Sequence, residues 1–129
     1  MNDNLTNISM EAYIDIRDYI ISSWTGIELL NDNDESILKI TTVDNRLTWT
    51  SDDETNIIAL SLTLSGSDSE VVGILPATIS KSRILKGDVV MDEKTLPYEN
   101  FILPLATSQL NLTHQIEMPY TVPDTEETI

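Results

Sequence analysis

Two hydrophobic periods divide the chain. Near the start, Met10, Tyr13, Ile14, Ile20, Ile21 and Trp24 fall close to one face at helical spacing, with Glu11, Asp15, Asp18 and Ser22 opposite. Ser9 is a good N-cap, Glu11 sits where a helix start favours a carboxylate, and Gly26 stands where a stop belongs. The pattern favours an amphipathic helix over residues 10–22. Alternation of Ile14 and Ile16 with Asp15 and Arg17 keeps a strand open as the rival.

From Ile27 onward the period becomes two and turn residues recur at near-regular intervals. Ile27–Leu30 and Ile37–Val43 flank Asn31-Asp32-Asn33-Asp34, a hairpin turn in composition, and Asp44-Asn45 leads into Arg46–Thr50. Ile58–Ser65 alternates most cleanly, before Gly66-Ser67-Asp68-Ser69 turns the chain. Val71–Leu75, Ala77–Leu85, Val89–Met91 and Phe101–Leu105 read as further strands, the last an edge or irregular one because Pro97 and Pro104 bracket it. Gln109–Met118 is the final strong strand. The predicted core is Ile14, Ile20, Trp24, Leu38, Ile40, Leu47, Trp49, Ile58, Leu60, Leu62, Leu64, Ile79, Leu103, Leu110, Leu112 and Ile116. The expected fold is mainly β: a small antiparallel β-sandwich or twisted sheet with one N-terminal amphipathic helix over one end.

A chain of 129 residues is one domain by length, with enough surface to bury for a modest core. The divisions expected are a flexible start over residues 1–8, one β-rich domain over 9–118, and a mobile acidic tail over 119–129, where Pro119, Pro123 and Asp124–Glu127 offer little to bury. Cysteine is absent, so disulfides, thiolate nucleophiles and sulfur-ligated metals are excluded, and a single histidine excludes a multi-histidine metal site within one chain. With 7 basic and 22 acidic residues the net charge is −15, which opposes direct binding to a phosphate backbone. No secretory signal pattern opens the chain, and no run approaches the roughly 20 apolar residues of a membrane-spanning helix. Neither nucleic acid nor membrane is an expected partner.

The candidate chemistry is sparse. Asp32, Asp34 and Glu35 invite a calcium reading, but an EF-hand loop starting at Asp32 would need Asp or Asn where Ser36 stands and Gly where Ile37 stands; Asp52-Asp53-Glu54 likewise reads as a turn. His114 shares a strand face with Leu110, Leu112, Ile116 and Met118 and so points toward the apolar layer or its rim. Gly26, Gly66, Gly73 and Gly87 are isolated, so no Gly-x-Ser-x-Gly elbow, Walker loop or dinucleotide fingerprint occurs. No catalytic residue, cofactor or metal is predicted. Lys81, Arg83 and Lys86 form the one local cluster of positive charge and are the candidate protein interface, suited to an acidic surface on a neighbouring copy.

The run Ile16-Arg17-Asp18-Tyr19-Ile20, the turn Asn31–Asp34, the segment Asp44–Trp49, the stretch Ala77–Ser82 and the closing strand Gln109–Pro119, in that order, resemble small tail-fibre and baseplate-associated proteins of bacteriophages. The resemblance implies a non-enzymatic virion structural protein, held in the host cytoplasm before assembly, that works as a homo-oligomer and through contacts with other tail proteins. Two other readings stay open. One is an inhibitor that mimics nucleic acid, motivated by the charge; the other is a carbohydrate-binding β module resting on Trp24 or Trp49.

Overall fold

The computed structural model describes residues 8–52, 54–97 and 101–118. The expected acidic tail and nearly all of the expected flexible start lie outside them. Helix α1 spans Met10–Ser23, which decides between helix and strand; the Ser9 hydroxyl accepts from the Ala12 N–H at 3.0 Å, as an N-cap should. It buries Tyr13 and Ile20, while Met10, expected on the same face, is exposed. Gly26 does not stop the helix. Trp24 does, with its N–H on the Ile20 carbonyl at 2.7 Å, and Gly26 opens strand β1 (Gly26–Leu30) between Thr41 and Leu85 of its two neighbours.

The remaining strands are β2 (Ser36–Thr41), β3 (Leu47–Ser51), β4 (Ile57–Ser65), β5 (Ala77–Thr78), β6 (Lys81–Lys86), β7 (Val89–Thr95), β8 (Ile102–Leu103) and β9 (Gln109–Glu117). They form two antiparallel sheets ordered β2-β1-β6-β7 and β3-β4-β9, with a minor β5-β8 pair. Ile27, Leu29, Leu38 and Ile84 of the first sheet share one core with Leu47, Leu60, Leu62, Leu64, Leu110 and Leu112 of the second. That is the expected sandwich. Strand β4 buries Ile58, Leu60, Leu62 and Leu64 on one face, as its alternation dictates. Helix α1 closes one end, where Tyr13 and Ile20 pack on Ile58 and Met118 and the Tyr13 hydroxyl donates to the Thr55 carbonyl at 3.0 Å. Every residue of the predicted core is buried or half-buried.

Three segments differ from expectation. Val71–Leu75 is not a strand: the Asp68 carbonyl accepts from both the Val71 and Val72 N–H groups, winding Val72–Ile74 into a 3-10 turn that buries none of its residues, while Val71 ahead of it is fully buried. Ala77–Leu85 is two strands, because the chain changes partners midway: Ile79 N–H bonds to Phe101 of the β8 side and Ser80 N–H to Leu30 of β1. Phe101–Leu105 shrinks to two paired residues ahead of Pro104, whereas Val89–Met91 extends to Thr95.

Candidate functional site

Strand β9 turns Leu110, Leu112 and His114 into the sandwich, and Ser82 of β6 and Asp92 of β7 meet the histidine from the opposite sheet. The Ser82 hydroxyl lies 2.7 Å from Nδ1 of His114, and the Asp92 carboxylate lies 2.6 Å from Nε2. Ser82 and His114 are both 0% exposed, while the Asp92 side chain is 45% exposed at the rim. Burial pushes the His114 pKa down, with Asp92 opposing and Lys94 adding to the fall. A neutral ring satisfies every group: Nε2–H donates to Asp92, and Nδ1 accepts from the Ser82 hydroxyl.

A serine, a histidine and a carboxylate in a row invite a nucleophilic reading. Such chemistry needs a hydroxyl that a substrate can reach, and the Ser82 hydroxyl is sealed in mid-strand with the ring in front of it. The set is arranged as a clasp between the two sheets. The sequence placed His114 correctly on the inner face; its partners left no signal, since Ser82 is 32 and Asp92 is 22 residues away.

The clasp has a pH signature. Because the folded pKa lies below the ordinary histidine value, the unfolded chain takes up a proton that the folded chain does not, so the histidine's contribution is present above about pH 6.5 and is lost as pH falls toward the folded pKa. Chemical denaturation of wild type and His114→Gln from pH 7.5 to 5.5 should show their stability difference shrinking as pH falls, by at most about 1.4 kcal/mol per pH unit. A difference independent of pH would contradict the assignment.

Of the basic cluster, Lys81 and Arg83 share one face of β6, and acids of the same chain meet them. Lys81 reaches Asp34 of the β1–β2 turn at 2.8 Å, and Arg83 reaches Glu93 at 2.6 Å and Glu28 at 3.9 Å, its cross-strand neighbours on one face of the four-stranded sheet. Lys86 lies apart, donating to the Tyr19 hydroxyl at 2.6 Å. The Asp34 partner holds the Lys81 pKa up, and Lys81 holds Asp34 below its usual range. The acidic turn is closed locally, with the Asn31 side-chain oxygen accepting from the Asn33 and Glu35 N–H groups at 2.9 Å. Among the described residues no group of three or more His, Asp or Glu side chains is placed to hold a metal ion.

A second charged site was not foreseen. Arg46 donates to both carboxylate oxygens of Asp44 at 3.1 and 2.7 Å, to both of Glu70 at 3.0 and 2.9 Å, and to Asp68 at 3.1 Å. All five guanidinium N–H groups are thereby used. The arginine holds Asp44 down to about 2 and lowers Glu70. It ties the β2–β3 corner to the loop after β4.

The aromatic residues do not form one platform. Trp24 and Trp49 pack half-buried on the core, with the Trp49 indole N–H on the Trp24 carbonyl at 2.9 Å; Tyr13 is fully buried, and Tyr98 and Tyr120 lie outside the described residues. The Trp24 indole N–H is buried without a partner.

What the three-stranded sheet presents outward is different in kind. Thr48, Thr50, Ser61, Thr63, Asn111, Thr113 and Gln115 share this face; among the paired strand residues on it Glu117 is the one charged side chain, and the Arg46 cluster stands at its end, opposite Thr63. No helix among the described residues is long and apolar enough to cross a membrane. Comparison with family models, with curated proteins and with solved structures found no match.

Proposed function

We propose that this chain is a non-catalytic building block that acts through protein–protein contact, and that its setting is the tail of a bacteriophage particle, at a fibre or baseplate. One observation carries the assembly reading: a chain of net charge −15 keeps the outer face of one sheet almost free of charge. Surfaces of like sign repel, so such a face is where an acidic subunit can be approached by another acidic protein. The tail setting rests on the sequence resemblance. The Ser82–His114–Asp92 contact and the Arg46 cluster, with their hydrogen bonds spent inside the chain, favour a structural over a chemical role.

Sedimentation of the purified chain across a wide concentration series, with pull-downs from phage-infected lysate, tests this. The expected result is self-association at micromolar concentration or capture of another tail protein. A strict monomer that captures no tail protein would refute it. Salt-sensitive displacement of DNA from a DNA-binding enzyme would instead favour the nucleic-acid mimic.

A further inference from the structure

We infer that two copies of this chain pair through strand β3, antiparallel about a two-fold axis at Trp49, extending the three-stranded sheet across the dimer. The inference rests on the assembly reading and places the contact at an edge of that same sheet.

The edges of the two main sheets are β2, β7, β3 and β9. An open edge is protected when it carries charge, proline, a bulge or a covering segment. Strand β2 has Lys39 and a register break opposite Leu29 and Leu30; β7 has Asp92, Glu93 and Lys94 and a register break in its ladder with β6. Strand β9 ends in Glu117 and has β8 and the Asp92 carboxylate against it. Strand β3, Leu-Thr-Trp-Thr-Ser, has no charge and no proline, and its register with β4 is unbroken.

Its backbone phase also suits addition. The Thr63 N–H donates to the Arg46 carbonyl, so Thr48 and Thr50 make the ladder bonds to β4, and the N–H and C=O groups of Trp49 and Ser51 point away from it. Beside this edge lies a hollow of about 280 Å³ lined by Ile21, Thr42, Leu47, Thr48 and Trp49.

A second copy is the occupant that the charges favour. Pairing about Trp49 sets Thr48 of one copy opposite Thr50 of the other, a cross-strand pair that brings no charged side chain against its like. The same operation at β7, about Glu93, would set Glu93 against Glu93 and draw Asp92 from its bond to His114, on an edge whose ladder is already broken in register. A basic partner would find its complement over the acidic remainder of the surface and would not need an uncharged edge. Because both copies carry −15, added salt should tighten the pair.

Analytical ultracentrifugation of wild type and two double variants tests the edge and its register together. T48K/T50K sets lysines opposite lysines and should raise the dissociation constant at least tenfold. T48E/T50K alters the same two positions but sets each new carboxylate opposite a new ammonium, and should stay within about threefold of wild type. Circular dichroism checks that both fold. In wild type, hydrogen exchange at the Trp49 and Ser51 amides should slow as concentration rises, a readout that needs no substitution. A wild-type chain that is monomeric throughout overturns this pairing, while the pull-down still decides the assembly reading. Association unaffected by T48K/T50K overturns it with assembly intact. Equal loss in two folded variants overturns the register.

Discussion

Gly66→Ala should cost more than about 3 kcal/mol and leave a chain that folds poorly at 37 °C. The reason lies in the backbone. Gly66 follows β4 directly and donates its N–H to the Ser108 carbonyl at 2.8 Å. A β-carbon there would stand 2.0 Å from the Leu105 oxygen, 2.9 Å from its carbonyl carbon and 3.0 Å from the Ala106 Cα, none of them a side chain that can swing aside. Moving that turn would pull on β8 and β9 together, since Ser108 N–H bonds to Leu105 C=O at 3.0 Å and the Ser108 hydroxyl accepts from the Leu105 N–H at 3.2 Å. Gly73→Ala is the control, for nothing lies within 4 Å of its new carbon and the 3-10 turn is exposed; it should change stability by no more than about 0.5 kcal/mol. Urea denaturation of both variants measures the contrast. A loss below about 1 kcal/mol in Gly66→Ala would mean that the two turns do not touch.

The second large effect is expected at Arg46. Isolated surface ion pairs are worth little, but this guanidinium is gripped on two edges by paired carboxylates and is only 23% exposed. Arg46→Leu removes the donors and leaves Asp44, Asp68 and Glu70 facing one another, for a loss of roughly 2 kcal/mol at pH 7. Arg46→Lys should recover only part of it, because an ammonium cannot match two carboxylates in the plane. The contribution of this site to the pH dependence should reverse in sign. In wild type the Asp44 pKa is held down to about 2 and that of Glu70 is also lowered, so their stabilisation is full at neutral pH and is lost as pH falls through those values. In Arg46→Leu the crowded carboxylates take up protons more readily when folded, so mild acid should restore stability. Thermal melts of both proteins at pH 7 and 4 decide the point, read as the gap between them so that the loss at His114, common to both, cancels. A gap that does not narrow in acid would rule out the crowding argument.

How much of this was legible in the sequence follows from how far apart the partners lie. Strands β4 and β9 could be read because each has one wet and one buried face, and the β1–β2 hairpin because its Asn and Asp residues form the turn by local bonds. His114 could be assigned to the inner face by parity alone. Long-range choices left no local trace. Nothing in Ala77–Leu85 marks where the chain leaves β8 for β1, and Val71–Leu75 is apolar enough for a strand although Asp68 winds it into a turn. Arg46 could be seen in a turn beside Asp44, but Glu70 lies 24 residues on, and only the fold of β3 and β4 brings it near. The basic cluster was visible as a run in β6, whereas the acids that meet it belong to three other segments.

The His114 clasp bears on how the two layers choose their alignment. Leucine and isoleucine side chains attract without regard to direction, so a core built from them tolerates one layer sliding over the other by a residue pair with modest loss. A ring whose Nδ1 is bonded at 2.7 Å to a serine on one strand of the opposite sheet, and whose Nε2 is bonded at 2.6 Å to an aspartate on the next, does not. Any slip would strand a histidine and a hydroxyl in a dry interior, at a cost that rises steeply over a single ångström. Two polar bonds thus fix the alignment of a sandwich that its oily contacts alone would leave loose.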